Sequence, residues 1–477
     1  MSIKVNDDSS QLPADMVSWI ESATGGKLAQ AVRIAGGGRK QAWLVDIEST
    51  ADVDLAVPDV GAEGTTELYL RWDPTEAAER GDVWTVQREA EIYRALHGTN
   101  LPVAQFVALH PNAAALLLTR LSGASRFSQL RDETERNQVA ADFIRHLAAL
   151  HRLDPCQLGL LSPERKAELP ELVREQLAEL DAIIEFRGGP VIPVLRLALD
   201  WLRDNVPAAT GPIVLVHGDS GPGNFLFEDG RVSAIVDWEL AHLGDPMDDI
   251  AWVMLRSLQD PFTDLDTRFG EYERASGIGL DMTRIRYYRV LAEAKILVMS
   301  HGESLRLASK AEGGGPDPGA RLIFAQLHQR LCAESLADVL GLTLIEAAPI
   351  SPAEQTDDDV LFDIVLAQLR EIVTPRVTDS LANQRIKGLA RVLKYLSASA
   401  RSRTEVDAAE LADLHDVLGD AELDLVRARA RFTAAVAGGS IDPAVALQTV
   451  YGQLSRRNEL LRSASGALAD RHYDNKK

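Results

Sequence analysis

The stretch VHGDSGPGNFLFEDGRVSAIVDWELAHLGDP, from Val216 to Pro246, constrains this chain more than any other part of it. Four apolar residues, Ile213 to Val216, lead straight into His217. Phe225-Leu226-Phe227 follows Asn224, Glu228-Asp229-Gly230 reads as a hairpin turn, and Val232 to Val236 returns. Short strands are predicted, with His217, Asp219, Asn224 and Asp237 where those strands end. Strand ends and the loops on them are where sites tend to be built.

Composition says what kind of molecule carries that stretch. With 477 residues the chain is too long for one core, and two or three domains are expected. Hydrophobic residues at 46% and charged residues at 25% describe an ordinary globular protein. No apolar run approaches a membrane span, and the opening MSIKVNDDSSQ lacks a basic region followed by an apolar one. The expectation is a cytoplasmic protein with no membrane partner. Cys156 and Cys332 are far apart and in no C-x-x-C, which argues against a disulfide framework or a structural zinc. A formal charge of −21 argues against nucleic-acid binding through a basic face.

Along the chain, Leu12 to Thr24 reads as a helix ended by Gly25-Gly26. AVRIAGGGRKQAWLVDI reads as two strands joined by a glycine turn, ELYLRWDP as a third, and TVQREAEIYRAL as a helix. VAQFVALHPNAAALLLTRLSG adds two strands, so residues 30–123 predict a small sheet with one helix. Residues 126–205 and 247–342 read as largely helical, and 308–320 as a loop. After the break AAPISPAEQTDDD at 347–359 the pattern is helical throughout. Leu361, Ile364, Val365, Leu369 and Ile372 form one apolar stripe, and Leu389, Val392, Leu393 and Leu396 another. Both are expected to bury a core of their own. The domains expected are an N-terminal region with the small sheet at 1–123, a mainly helical lobe at 124–346, a helical bundle at 357–462 and a tail at 463–477.

The polar residues of the opening stretch carry chemistry. Asp219, at a strand end, can accept a hydroxyl proton and orient the oxygen for attack. Asn224 and Asp237 offer hard oxygen ligands suited to Mg²⁺ shared with phosphates. An Asp, an Asn five residues on and a second Asp one hairpin later match the base and metal ligands of phosphoryl transfer. His217 is read as a prop for the loop. The chain has no G-x-S-x-G and no H-E-x-x-H to compete.

HGDSGPGNFLF together with AIVDWELAHLGDPMDDIAW resembles the aminoglycoside phosphotransferase/choline kinase-like family, small-molecule relatives of protein kinases. The resemblance spans about residues 10–345. Within the family, the subgroup writing DWE and GDP is nearest, and it includes kinase domains found with acyl-CoA dehydrogenases. It implies an α+β, bilobal protein-kinase-like fold, a small antiparallel sheet lobe plus a mainly helical lobe, here with an all-α bundle appended. By the motif, Asp219 takes the base position, Asn224 and Asp237 the Mg²⁺ positions, and Asp249 a position that supports the loop. Trp238 replaces the Phe of a protein kinase's Asp-Phe-Gly, and GDP comes too soon for an activation loop.

Such a kinase needs a strand cation for the ATP phosphates and a helix carboxylate to hold it. Arg71 in LYLRWDP and Glu89 in QREAEIYRAL stand at those positions, with Arg in place of the usual Lys. The alternative for Arg71 is a solvent-facing place on an edge strand. Gly36, Gly37 and Gly38 match the phosphate-covering turn, although not as G-x-G-x-x-G. Leu118, Thr119 and Leu121 match the interlobe connector whose backbone meets adenine. Glu239 is left between touching metal or substrate and bonding nearby backbone. The function implied is an ATP- and Mg²⁺-dependent phosphotransferase acting on a hydroxyl of a small molecule, with a hydroxyacyl-CoA the leading acceptor. Aminoglycosides or amino alcohols are the alternative acceptors, and a catalytically silent kinase-like assembly protein is the rival class. The bundle would serve a homo-oligomer or recruit an acyl-CoA enzyme.

Overall fold

A computed structural model of the chain describes residues 12–34, 40–48, 65–75, 79, 81–162, 167–208, 211–302, 317–348, 350 and 357–473. These fall into two units. The first lies within Met1–Lys166, Pro212–Asp249 and Asp260–Gly279, the second within Ala167–Gly211, Ile250–Gln259 and Leu280–Lys477.

In the first unit, helix α1 (Ala14–Thr24) stops at Gly25, whose φ of 72° suits glycine. Strands β1 (Lys27–Ile34), β2 (Gln41–Glu48), β3 (Thr65–Trp72), β4 (Phe106–Leu109) and β5 (Ala115–Thr119) pair antiparallel in the order β1-β2-β3-β5-β4. The α+β expectation holds. Alternation divides the sheet's faces: Trp43, Val45, Ile47, Leu68, Leu70 and Leu117 pack with Met16 and Ile20 of α1. Each aliphatic side chain fully buried there contributes about 1.5–3 kcal/mol. Ala42, Arg71 and Leu116 are cross-strand partners and share the other face. Helix α2 (Val86–Leu96) starts at Thr85, which caps the Arg88 amide at 3.1 Å, and it buries Val86, Glu89, Ala90 and Tyr93.

Helix α3 (Glu133–Leu150) follows, then α4 (Leu169–Arg187) and α5 (Pro193–Asp204) of the second unit. The opening stretch forms β6 (Val214–Val216), β7 (Phe225–Glu228) and β8 (Arg231–Ile235), as its pattern predicts. Asp229 and Gly230, with φ of 49° and 72°, turn the β7–β8 hairpin. Phe225 stacks on Phe143 of α3 with ring centroids 4.6 Å apart, which seats the hairpin. Strand β9 (His242–Gly244) was not foreseen: three residues paired to β6 are too few to show an alternation. Helices α6 (Pro246–Gln259) and α7 (Leu265–Ser276) come next.

Among the described residues the regular elements of the second unit are helices: α8 (Met282–Ser300), α9 (Pro318–Leu340), α10 (Asp357–Gln368), α11 (Ser380–Leu418), α12 (Leu425–Ala437) and α13 (Pro443–Ser465) join α4, α5 and the Ile250–Gln259 part of α6. Of the expected loop at 308–320, residues 308–316 lie outside the described residues, whereas 318–320 are the first turn of α9. Asp317 caps the Gly319 and Ala320 amides at 2.9 and 3.1 Å, and Pro318 suits the first helical position. Helix α9 contacts α8, α11 and α13. Past α13 the chain packs on: buried Tyr473 donates its hydroxyl to Glu293 Oε1 at 2.7 Å.

The two apolar stripes do not bury a core. Leu361, Ile364, Val365, Ile372, Leu389 and Leu396 are exposed, while α11 buries Gly388, Val406, Glu410 and Leu414 instead. Periodicity marks a face that favours burial, but not whether this chain covers it. Among the described residues no helix is long and apolar enough to cross a membrane.

Candidate active site

Strand β3 is the middle of five, so Arg71 is not on an edge, and it is 7% exposed. Its Nε lies 2.9 Å from Glu89 Oε2 on α2. Its Nη2 lies 2.7 Å from Asp237 Oδ1 and 3.0 Å from Glu239 Oε2. A second cation joins them. Lys40, one residue before β2, places Nζ 3.0 Å from the same Glu89 oxygen and 3.0 Å from Glu239 Oε2. Glu239 thus bonds cationic side chains, not merely nearby backbone.

Two cations face three carboxylates here. Burial pushes the Lys40 amine down, but Glu89 and Glu239 outweigh it and hold its pKa above the ordinary value. Burial likewise works against the Arg71 charge, and Asp237, Glu89 and Glu239 more than offset it. Both side chains are therefore cationic at neutral pH. The Glu89 side chain is fully buried, whereas Asp237 and Glu239 are 30% and 31% exposed. The cations are braced from behind by Glu89, and their solvent-facing partners are the ones an incoming anion can replace.

The neighbouring loop is built as tightly. Gly218 has a φ of +80°, and a Cβ there would meet the Leu240 carbonyl oxygen at 2.3 Å, so only glycine turns the chain from β6 into Asp219. Asn224 Nδ2 donates to the Asp219 carbonyl at 2.7 Å, which leaves Oδ1 as that side chain's acceptor. The Val236 amide donates to the Asn224 carbonyl at 3.0 Å, so the hairpin brings Asn224 beside Asp237. Asp237 takes a left-handed φ of 66°, uncommon outside glycine. His217 Nε2 is 2.9 Å from the Val236 carbonyl oxygen and its ring packs on Trp238, as a prop would.

Asp249, on α6, ties this loop down. Its carboxylate accepts the His217 and Gly218 amides at 2.8 and 3.0 Å and meets His151 Nε2 at 2.9 Å. His151 Nδ1 is in turn 2.6 Å from the Tyr272 hydroxyl. Burial alone would raise the Asp249 carboxyl, but the His151 bond and charge, joined by His217, bring it down to about 2.

Leu118 and Thr119 end β5, and Leu121 follows. The Thr119 and Arg120 amides already donate to the Gln105 and Glu67 carbonyls at 3.0 and 3.2 Å. Gly36, Gly37 and Gly38 lie outside the described residues. Sequence reasoning missed Lys40 and His151. Lys40 had a signal: it is two residues from Ala42, the cross-strand partner of Arg71, and so shares its face. His151 had none, because Asp249 is 98 residues away.

The donor set fits Mg²⁺ brought in with a nucleotide. Among the described residues no three His, Cys, Asp or Glu side chains form a group that could hold a metal ion unaided. Asn224 Oδ1 and the Asp237 carboxylate are hard oxygens, and Mg²⁺ is commonly held by one or two carboxylates plus substrate phosphates.

A strand cation braced by a helix carboxylate, beside a loop carrying Asp, Asn and Asp, belongs to the phosphoryl-transfer class. Residues 59–288 match APH, the Phosphotransferase enzyme family, and the chain carries a small-molecule phosphotransferase domain of that family. The aminoglycoside 3'-phosphotransferase of Enterococcus faecalis is 26% identical over 231 residues, covering 47% of this chain and 84% of that enzyme. Acyl-CoA dehydrogenase family member 10 of Mus musculus is 39% identical over 227 residues, covering 44% of this chain but only 21% of that protein. The solved structure of a thermostable mutant of aminoglycoside phosphotransferase APH(4)-Ia, a ternary complex with ADP and hygromycin B, is similar at a TM-score of 0.43 and 16% identity, covering 68% of this chain and 98% of its own.

Proposed function

We propose that this chain transfers the terminal phosphoryl group of ATP to a hydroxyl of a small molecule, with a hydroxyacyl thioester as the acceptor. The observation that carries the reading is the Arg71 guanidinium, which links Glu89 on α2 to Asp237, a residue 166 positions from Arg71 in the chain. Arg71 and Lys40, steadied by Glu89, bind phosphate oxygens in place of the Asp237 and Glu239 carboxylates. Asn224 and the freed Asp237 hold Mg²⁺, which when bound neutralises charge on the phosphates. The Asp219 carboxylate orients the acceptor hydroxyl and takes its proton while the acceptor oxygen bonds to phosphorus and the bond to ADP breaks. Asp249 keeps Asp219 in place through the His217 and Gly218 amides.

The thioester acceptor rests on the 39% identity to a stretch of acyl-CoA dehydrogenase family member 10. The enterococcal relative favours an aminoglycoside as the second reading. A screen of ADP release by the full chain across hydroxyacyl-CoAs, amino alcohols and aminoglycosides separates them. Hydroxyacyl-CoAs are expected to raise ADP release at least about tenfold over the acceptor-free background, a barrier change of about 1.4 kcal/mol. A larger response to aminoglycosides transfers the assignment to the second reading, and no response to any acceptor refutes the acceptor classes named here.

A further inference from the structure

Lys40 and Arg71 each bond one oxygen of Glu89 and one oxygen of Glu239, at 2.9–3.0 Å, so the four side chains close a ring. The two carboxylates do the same work in different settings. Glu89 lies on α2 with its side chain fully buried, whereas Glu239 closes the ring from the solvent side and is 31% exposed. Its neighbours fix it there. Trp238 and Leu240 are buried, and Trp238 Nε1 donates to the Ile235 carbonyl at 3.1 Å. The single turn that Trp238–Leu240 forms contacts α2.

A phosphate oxygen that bridges Lys40 and Arg71 has one place to sit. Buried Glu89 closes the inner side of the pair, so that oxygen takes the position of Glu239 Oε2. Arg71 Nη2 also holds Asp237 Oδ1 at 2.7 Å, so an arriving phosphate displaces two carboxylates. Both then stand beside the phosphates without their cations. Mg²⁺ carried by the nucleotide gives Asp237 a new partner and neutralises part of the phosphate charge. An anion that carries no metal does neither, and it meets two like charges at close range.

We propose that Glu239 makes this site specific for the metal complex of its nucleotide: its carboxylate holds the place of a phosphate oxygen, and once displaced it repels an anion that carries no cation. The ligands it excludes are metal-free nucleotides and simple anions such as pyrophosphate. Glu239 acts here through its charge, and not as a ligand to Mg²⁺. The inference rests on the phosphotransferase reading of Lys40 and Arg71.

Calorimetry on the full chain with a non-hydrolysable ATP analogue, in Mg²⁺ and in EDTA, tests it. The wild type is expected to prefer the Mg²⁺ complex strongly. Glu239→Gln keeps the shape of the side chain and one acceptor oxygen but removes the charge. It should bind the metal-free analogue more tightly than the wild type does, and its preference for the Mg²⁺ complex should shrink at least about tenfold, as loss of one nearby charge allows. Glu239→Ala should shift the preference the same way, and pyrophosphate in EDTA should bind both variants more tightly than the wild type. A Glu239→Gln variant that loses affinity for the Mg²⁺ complex alone makes Glu239 a metal ligand and overturns the proposal. An unchanged preference in both variants overturns it too, as does a wild type that binds both forms equally well. A wild type that binds neither form refutes the phosphotransferase reading itself, and this inference with it.

Discussion

Glu89 Oε2 receives both Arg71 and Lys40, so one buried carboxylate oxygen positions two cations. Lys contributes a compact charge with three donors, and Arg a planar fork that grips two oxygens at once. Replacing Lys40 by Met removes one of the proposed phosphate contacts while Arg71 still balances Glu89, so the fold should survive. A hydrogen bond to a charged group contributes about 1.5–3 kcal/mol, so affinity for Mg²⁺ and a non-hydrolysable ATP analogue should fall at least about tenfold. Lys40→Arg should recover part of it. Calorimetry reads both variants, and an affinity unchanged in Lys40→Met removes that lysine from the nucleotide clamp.

At the scale of elements, the loop between β6 and β7 holds its shape through α6, whose Asp249 gathers two amides and His151. Its folded pKa of about 2 lies below the ordinary 3.8, so this carboxylate adds stability that is present above 3.8 and lost as pH falls toward 2. Asp249→Asn should flatten the acid limb of stability in that window. At neutral pH it should cost roughly 3–5 kcal/mol, the usual penalty for breaking a buried pair. Urea unfolding between pH 2 and 7 checks both, and an acid limb identical to that of the wild type contradicts the assignment. Elements with a strong period were legible in the sequence: the alternating strands β2 and β3, the helix of Glu89 and the hairpin around Asp229 and Gly230. So was the pairing of Asn224 with Asp237, because a hairpin joins its own ends. What stayed hidden depends on distant contacts. The three residues of β9 have meaning only beside β6, and His151 only beside Asp249. The stripes at Leu361 and Leu389 were visible as patterns, but no pattern says whether a chain covers its own apolar face.

For the whole molecule, the family match at 59–288 runs through segments of both units, and the residues assigned to chemistry all come from the first. The C-terminal helices belong with α5, α8 and α9, since α9 contacts α11 and α13. Ile323 on α9 packs with Leu461 and Ala464 of α13, so deleting the chain after residue 348 would uncover apolar surface on α9. The proposed phosphoryl transfer to a hydroxyl turns on Asp219. Mass-spectrometric detection of a phosphorylated acceptor, alongside ADP, for the wild type and Asp219→Asn tests that role. The wild type should add one phosphoryl group to the acceptor for each ADP formed. Asp219→Asn should do so at least about a hundredfold more slowly, the least a general base contributes, while still binding Mg²⁺ and nucleotide. Transfer by Asp219→Asn at a rate near that of the wild type would contradict it.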